Sequence, residues 1–305
     1  MMPSETAPAA GLAEELEPGL LRVLAPNPSP MTYWGTNTYL LGRRDIAVID
    51  PGPDLPAHMA AILAACPTGA SITHIIVTHA HRDHSPLARP LSQATGAPVL
   101  AFGPPEAGRS AVMQDLAASG FAGGGEGIDT DFCPDICLVD GARVSGSDWD
   151  LDVIHTPGHM GNHISLAWGD ALFSGDHVMG WASSLVSPPD GDLSDFMTSC
   201  ARLQARDWRV FHPGHGAPVR DPMARLSWLV AHRRSRETAI LDALNDGPAT
   251  AATLAARLYS DVAEALLPAA TRNVFAHLID LTGKSRVSPV EALSFDAFFR
   301  RNPAK

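Results

Sequence analysis

Residues 78–84, Thr-His-Ala-His-Arg-Asp-His, place four side chains of the kind that bind metals within six positions. They follow an apolar Ile-Ile-Val run that is typical of a buried strand. In an extended segment, residues two apart point to the same side, so His79 and His81 can reach one ion, whereas Asp83 and His84 need a turn. Imidazole and carboxylate ligands suit zinc, iron or manganese. The segment therefore predicts a metal-binding loop at the end of a strand. Because two of its ligand side chains face one way and two face another, it favours a pair of ions.

Three more loops carry a ligand-type residue directly after a glycine, and each loop follows an apolar strand. They contain His159 in Thr-Pro-Gly-His, Asp176 in Ser-Gly-Asp and His215 in Pro-Gly-His-Gly. A glycine at that point lets the backbone turn sharply, so the next side chain can face inward. We therefore expect the three strand-end loops to converge on the site of the histidine cluster.

The alternation of elements around the histidine loop favours an α/β fold. Apolar β-type runs at 38–41 and 46–49 are separated by a short turn, which predicts a hairpin. Helical spacing over 55–66 is followed by another strand at 72–77, and that order implies parallel pairing. With 305 residues, 45% of them apolar, the chain can bury one large core with room for a small second one.

The overall charge restricts the class of partner. The chain has 22 basic and 33 acidic residues, a net charge of -11, which opposes non-specific binding to nucleic acid. The cysteines lack the spacing of a disulfide scaffold or of a structural zinc site; they are Cys66, Cys133, Cys137 and Cys200. Residues 1–19 lack the basic and apolar segments of a signal peptide, and no apolar stretch of about 18 residues is present. These features predict a cytoplasmic protein without a membrane partner.

The order of the four motifs resembles that of the metallo-β-lactamase superfamily, and in particular its glyoxalase II-like branch. The resemblance implies a four-layer αββα sandwich with the site at one edge. It also implies two divalent ions, zinc in the first place, with manganese and iron as alternatives. The ligands carried over are His79, His81 and His159 on the first ion, Asp83, His84 and His215 on the second, and Asp176 bridging both. A histidine at position 81, where flavodiiron relatives have glutamate, argues against electron transfer.

Two further segments resemble the β-lactamase-like protein 2 family, which includes a mitochondrial endoribonuclease and carries a small C-terminal winged-helix domain. They are residues 27–40, with Asn-Pro-Ser-Pro-Met-Thr and Gly-Thr-Asn-Thr-Tyr-Leu, and residues 232–237. The expected C-terminal elements are helices over 233–244, 250–259 and 262–281, the last interrupted by Pro268, and wing strands at 286–288 and 293–295. The predicted organisation is a flexible N-terminus (1–19), a metallo-β-lactamase-like catalytic domain (20–220), and a connector helix with the winged-helix domain (221–305).

The predicted site suits hydrolysis at a carbonyl or phosphoryl centre. Two divalent ions outweigh the negative charge of Asp83, Asp176 and a bridging hydroxide, so the site stays positive where a transition state becomes negative. Water between two ions loses a proton near neutral pH, because its pKa falls from about 16 toward about 7. No serine or cysteine nucleophile is needed, and Asp83 is the ligand that we assign a catalytic role.

The sequence leaves the substrate open between two classes. A small acyl or thioester compound is favoured over single-stranded RNA because the chain is acidic. The resemblance to an endoribonuclease family and an arginine-rich segment at 202–236 support RNA instead. Less favoured alternatives are a nucleic-acid-binding protein with structural metals and a single-iron persulfide dioxygenase. The predicted partner is a small acyl or anionic molecule, with RNA as the alternative, and the oligomeric state is left open.

Five side chains are candidate substrate contacts, each with a structural alternative. His163 either contacts substrate or is a strand histidine that makes a hydrogen bond to the backbone. Tyr33 and Trp34 either form an apolar wall of the cleft or are exposed hairpin aromatics. Arg233 and Arg236 either hold an anionic group of the substrate or stabilise a connector helix through ion pairs.

Overall fold

The computed structural model describes residues 6–123, 127–260 and 263–303. Its strands are β1 (Ala13–Glu17), β2 (Leu20–Leu24), β3 (Asn37–Leu41), β4 (Asp45–Ile49), β5 (Ser71–Ile76), β6 (Val99–Ala101), β7 (Ile136–Cys137), β8 (Arg143–Ser145), β9 (Asp150–His155), β10 (Ile164–Trp168), β11 (Ala171–Gly175), β12 (Val210–Pro213), β13 (Val287–Pro289) and β14 (Phe299–Arg301). Its α-helices are α1 (Pro56–Ala65), α2 (Ala88–Thr95), α3 (Ala111–Ala118), α4 (Leu193–Gln204), α5 (Pro222–Ala243), α6 (Ala251–Leu258) and α7 (Leu267–Gly283). No helix within these ranges combines the length and apolar character needed to cross a membrane.

The first sheet has seven strands in the order β1 to β7. β1 to β4 pair antiparallel, which includes the predicted hairpin of β3 and β4, and β4 to β7 pair parallel. The change follows from the connections, because α1 lies between β4 and β5 and α2 lies between β5 and β6. A helical crossover returns the chain in the same direction. The ends of β4 and β5 therefore lie at one edge of the sheet, with the histidine loop after β5.

The N-terminal segment contains a strand that the sequence does not predict. β1 pairs antiparallel with β2, although residues 1–19 are expected to be flexible. Its sequence, Ala-Glu-Glu-Leu-Glu, has no continuous apolar face and is largely exposed. Ladder hydrogen bonds hold it, and Leu16 packs against the core between the two sheets. Glu17 adds an ion pair of 2.8 Å with Arg209. Residues 1–5 lie outside the described residues.

A second sheet packs face to face on the first. It has five strands in the order β12-β11-β10-β9-β8, with β11 and β12 parallel and the other pairs antiparallel. Apolar side chains fill the space between the sheets, among them Tyr39 and Phe173, whose rings meet edge to face with centroids 5.2 Å apart. α1 and α2 cover the first sheet through Ile62 and Leu91, and α4 and α5 cover the second. This αββα sandwich confirms the expected fold class.

The C-terminal residues form a second core with the end of α5. α6, α7 and the ribbon of β13 and β14 pack around Phe275 and Phe299, which is the expected winged-helix arrangement. α7 also packs on the sandwich. Ala276 joins the core beneath α4, and Ser194 Oγ donates to Asp280 Oδ1 at 2.7 Å. The winged-helix domain is therefore fixed to the catalytic domain through α7.

Two details of this domain differ from the sequence prediction. Pro268 stands in the first turn of α7 and does not interrupt it, because the N–H that proline lacks has no helical partner at that position. Residues 261 and 262, where the helix is expected to begin, lie outside the described residues. The second wing strand is Phe299–Arg301 and not 293–295, since Phe299 is fully buried and pairs with Pro289.

Candidate metal centre

The carboxylate of Asp50, at the end of β4, organises the histidine loop. Thr78 donates its backbone N–H to Asp50 Oδ1 at 2.7 Å and its hydroxyl to Oδ2 at 2.8 Å. His84 donates Nδ1–H to the same Oδ2 at 3.0 Å. A backbone hydrogen bond of 3.0 Å from His84 to the carbonyl of His81 closes the turn that the sequence requires. The second half of the loop therefore faces the same interior space as the first half.

His79, His81 and His159 form the first group of converging ligand atoms, and all three are buried. Nδ1 of His81 lies 3.0 Å from Nε2 of His79 and 3.0 Å from Nε2 of His159. The remote nitrogens donate to protein oxygens, His79 Nδ1–H to Thr78 Oγ1 at 3.0 Å and His159 Nδ1–H to the Leu185 carbonyl at 2.7 Å. Burial, followed by the neighbouring His159, lowers the pKa of His81 to about 3, so this ring is neutral. Lone pairs from three rings therefore face one point, which suits a cation.

Asp83, His84, Asp176 and His215 form the second group. His215 Nε2 lies 3.1 Å from Asp83 Oδ2, 3.3 Å from Asp176 Oδ2 and 3.3 Å from His84 Nε2. Its Nδ1–H donates to the Gly35 carbonyl at 3.1 Å. Burial disfavours a charged imidazole, but Asp176 and Asp83 raise the pKa of His215 to about 10 and that of His84 well above its usual value. The carboxylates thus favour positive charge here, and a divalent cation supplies it by displacing protons.

Asp176 lies between the two groups. Its Oδ2 is 3.7 Å from His159 Nε2 in the first group and 3.3 Å from His215 Nε2 in the second. Its Oδ1 is buried, has no hydrogen-bond partner among the described residues and lies 3.5 Å from His84 Nε2. A buried carboxylate oxygen that accepts no hydrogen bond is costly, and a cation bound to it removes that cost. The donor set therefore fits two divalent cations and forms a dinuclear metal-binding site; the assignment of each ligand to an ion stays a prediction.

His163 lies behind the metal centre and not in front of it. The ring is fully buried, with Nδ1 2.9 Å from Thr156 Oγ1. Its Nε2 accepts the backbone N–H of Asp176 at 3.2 Å. These contacts support the structural alternative, in which His163 positions the loop that carries Asp176.

A cleft of about 250 Å³ opens over the metal-binding side chains and extends to the C-terminal domain. Its floor contains His81, Asp83, His159, Asp176 and His215. Its apolar walls include Met31, Trp181 and Leu185 from the catalytic domain, Ala269 and Ala270 from the start of α7, and Leu266 directly before it. Among the described residues that line the cleft, none is an arginine or a lysine. A cleft of this size and polarity suits a small, largely apolar ligand.

Tyr33 and Trp34 support one wall of this cleft from outside. Tyr33 stacks between Trp34 and Trp181, with ring centroids 4.8 Å apart on each side. Trp181 lines the cleft, whereas Tyr33 is 41% exposed. Tyr33 and Trp34 do not themselves line the cleft; Trp181, which the sequence analysis does not single out, forms this part of its wall, and Tyr33 stacks on it.

Arg233 and Arg236 do not line the cleft. The buried guanidinium of Arg233 donates Nη1–H to Asn273 Oδ1 at 3.1 Å and Nη2–H to the Ser184 carbonyl. Arg236 donates to the Leu258 carbonyl at 3.3 Å, and its guanidinium lies 4.5 Å from the centroid of the Tyr259 ring. Both arginines thus connect α5 to the residues around the cleft, as in the connector alternative, although through carbonyls and a ring and not through carboxylates.

Two residues of the site belong to no motif. Asp50 directly follows β4, as the histidine loop follows β5, and that position is its one signal in the sequence. Its φ of 50° is unusual for a residue other than glycine and marks a constrained position. Asn273 lines the cleft from the middle of α7, where nothing in the local sequence separates it from other polar helix residues.

Comparisons with known proteins agree with this geometry. A sequence profile of the metallo-beta-lactamase superfamily matches residues 31–241, and a profile of the beta-lactamase associated winged helix domain matches residues 250–292. A beta-lactamase-like protein 2 homolog of Drosophila melanogaster is 31% identical over 292 residues, which cover 90% of this chain and 91% of that protein. An atrochrysone carboxyl ACP thioesterase of a Cryptosporiopsis species is 28% identical over 243 residues, which cover 78% of this chain and 67% of that protein.

Solved structures show the same architecture. A metallo-beta-lactamase family protein from Thermus thermophilus superposes with a TM-score of 0.75 at 26% identity, over 94% of this chain and 100% of that one. A beta-lactamase domain protein from Burkholderia ambifaria superposes with a TM-score of 0.80 at 23% identity, over 98% and 96%. At that identity the second likeness concerns the fold alone. Both superpositions extend beyond the sandwich into the C-terminal domain.

Proposed function

This chain belongs to the metallo-β-lactamase superfamily and is a hydrolase with a dinuclear metal-binding site, and we propose that its substrates are small acyl thioesters. The observation that carries the proposal is the apolar cleft beside the metal-binding side chains. A thioester has one electrophilic carbonyl and an uncharged acyl group. Apolar walls bind such a group by removing its surface from water.

The alternative of single-stranded RNA receives less support from the cleft. Successive phosphates of an RNA strand attract cationic side chains, and the described lining residues include no arginine or lysine. Two arginines of the segment 202–236 have other partners: Arg209 pairs with Glu17, and Arg225 donates to the carbonyls of Met179 and Ala182. The net charge of -11 adds a general repulsion.

The packing of the winged-helix domain also favours a role in forming the substrate site over a role in binding nucleic acid. In DNA-binding relatives of this motif a recognition helix must be free to enter a groove. α7 is the last helix of the domain, and nine of its residues, from Ala270 to Leu281, are buried. One face packs into the second core and another lines the cleft. We therefore assign α7 to the substrate site and not to nucleic acid.

When bound, the two ions lower the pKa of a coordinated water and stabilise negative charge that develops on the carbonyl oxygen. The chain's own residues hold and orient this centre. Asp83 and Asp176 supply the carboxylates, Asp50 fixes the ring of His84, and His163 fixes the backbone of Asp176. The apolar walls keep bulk water away from the carbonyl group that is attacked.

One of the comparisons also supports a thioester substrate. The related Cryptosporiopsis protein is named a thioesterase, and this chain covers 67% of it.

The identity of the metal is a separate question. The ligand set of five histidines and two aspartates suits zinc in the first place, because imidazole and carboxylate are ordinary zinc ligands. We propose zinc as the native ion, with manganese and iron as the alternatives to compare.

The experiment is a side-by-side assay of zinc- and manganese-loaded protein. The substrates are short acyl thioesters, a chromogenic phosphodiester and short single-stranded RNA, and the blank is the Asp83→Ala variant. We expect thioester turnover that the variant lacks. Cleavage of RNA that disappears in the variant, without turnover of any thioester, would contradict the proposal.

A further inference from the structure

The side-chain amide of Asn273 is held in one orientation. Its Oδ1 accepts two hydrogen bonds of 3.1 Å, one from Arg233 Nη1 and one from the backbone N–H of Val186. Both partners are donors, so the oxygen must face them and the Nδ2 amino group must point the other way. The two donors therefore determine which terminal atom of the Asn273 side chain is the oxygen and which is the nitrogen.

The Nδ2 amino group of Asn273 has no acceptor among the described residues, and Asn273 lines the cleft over the metal centre. It shares one face of the helix with Leu266, Ala269 and Ala270, at the spacing of three, four and seven residues that aligns side chains along a helix. The winged-helix domain thus presents an apolar strip to the cleft, with one oriented donor at its end.

The buried arginine gives this arrangement its rigidity. Arg233 binds Asn273 with one nitrogen of its guanidinium and the Ser184 carbonyl with another. The next residue, Leu185, accepts from His159 Nδ1 at 2.7 Å. One short segment of the catalytic domain therefore contacts both the fixed amide and a side chain of the metal centre, so their separation is constrained.

We propose that this strip of α7 is the acyl-binding wall and that Asn273 Nδ2 donates to an acceptor oxygen on the acyl group. The preferred substrates are then apolar oxoacyl or hydroxyacyl thioesters, and unsubstituted acyl thioesters bind less well. The proposal rests on the proposed thioester hydrolysis for the identity of the scissile bond. It adds which part of the substrate the winged-helix domain recognises.

The test measures binding and does not depend on turnover. The ligands are the amide analogues of octanoyl- and β-oxo-octanoyl-N-acetylcysteamine, in which N–H replaces the thioester sulfur. Calorimetry on the zinc-loaded full chain should show the oxo analogue binding roughly five- to tenfold more tightly, which one additional hydrogen bond provides. Asn273→Asp should reduce that preference to less than about twofold, because a carboxylate there cannot donate.

Asn273→Asp also separates loss of the donor from loss of the fold. The new carboxylate accepts from Arg233 and Val186 as the amide oxygen does, so the melting temperature should be unchanged or higher. Ala269→Phe, which fills the strip, should weaken binding of both analogues, whereas Ala256→Phe on the exposed face of α6 should weaken neither. Equal binding of both analogues to the wild type, or a preference that survives in Asn273→Asp, overturns the proposal.

Different results would contradict the proposed thioester hydrolysis and the proposed role of Asn273. Hydrolysis of thioesters without an oxo preference in binding leaves the proposed function intact and removes the role of Asn273. An oxo preference that depends on Asn273, without hydrolysis of any thioester, supports the acyl-binding wall and removes the thioesterase assignment.

Discussion

Asp50 and His84, which are 34 residues apart, meet through a hydrogen bond of 3.0 Å between Oδ2 and Nδ1. The bond fixes the tautomer of His84 so that its Nε2 faces the second group of ligand atoms. The same carboxylate accepts both the N–H and the hydroxyl of Thr78. One side chain at the end of β4 thus orients the loop that follows β5.

Asp50→Asn should weaken metal binding without changing the fold. Asparagine tolerates the left-handed φ of 50°, but its neutral amide orients His84 less well. We expect the affinity for the second ion to fall about ten- to a hundredfold, as for other residues that orient a ligand. Competition with a chelator measures this affinity, and Asp54→Asn, at an exposed position nearby, is the control. Equal affinities in both variants would show that Asp50 does not act on the ion.

Gly214→Ala should disrupt the metal centre from its backbone. A Cβ at this position would clash with Asp176 Oδ1 and would lie 2.7 Å from His84 Cε1. Neither side chain can move without leaving the other ligands, so bound metal should fall to one ion per chain or fewer. Elemental analysis measures it. Gly283→Ala is the matched control because, apart from the chain next to it, no atom of the described residues lies within 4 Å of its added Cβ, and it should keep both ions.

The stability of the protein should decrease on acidification partly because of His58. Burial lowers the pKa of His58 to about 4, and its Nε2 lies 2.8 Å from Thr38 Oγ1. The unfolded chain takes up this proton near pH 6.5, the folded chain only near pH 4. Stability that is fully present above pH 6.5 is therefore lost progressively down to pH 4, by on the order of 3 kcal/mol.

His58→Gln should flatten this part of the profile, because glutamine can donate to Thr38 but does not titrate. Urea unfolding of both proteins at a series of pH values provides the comparison. The difference in the free energy of unfolding between them should change between about pH 6.5 and pH 4. Two parallel profiles would show that His58 makes no contribution.

Arg233→Ala should destabilise the protein. The change removes the Arg233 donor from the Ser184 carbonyl, leaves Asn273 Oδ1 with the Val186 N–H alone, and removes the guanidinium from the ring of Phe196, 5.1 Å away. We expect the free energy of unfolding to fall by about 2–4 kcal/mol. The exposed neighbour Arg234 is the control, and Arg234→Ala should stay within about 0.5 kcal/mol of the wild type. Equal stability of the two variants would place Arg233 outside the connection between domains.

The metal-binding residues can be predicted from the sequence because the patterns that mark them span only a few residues. A cluster after a strand, or a glycine before a histidine, determines where a side chain points within a few residues. His163 shows where this reasoning ends. Its spacing from His159 places it near the site, but only the packing of the two sheets shows that it lies behind Asp176.

Other features depend on contacts between residues that are far apart in the chain. Asp50 and Asn273 acquire their roles from residues on other elements; the position of Asp50 after β4 is its one signal in the sequence, and Asn273 has none. β1 has no continuous apolar face, so its backbone pairing leaves no trace in hydrophobic periodicity. The sequence predicts the second wing strand at 293–295, whereas the buried Phe299 pairs with β13 a few residues later.

The most direct test is a titration of metal-free protein with zinc while the rate of hydrolysis of a short acyl thioester is followed. Seven converging side chains in two groups predict that the rate rises until two zinc ions per chain are bound and then stays constant. In His84→Ala the rate should remain near that of the metal-free protein at any zinc concentration that saturates the wild type. A rate that is complete after one ion, or no thioester turnover with two ions bound, would contradict the account.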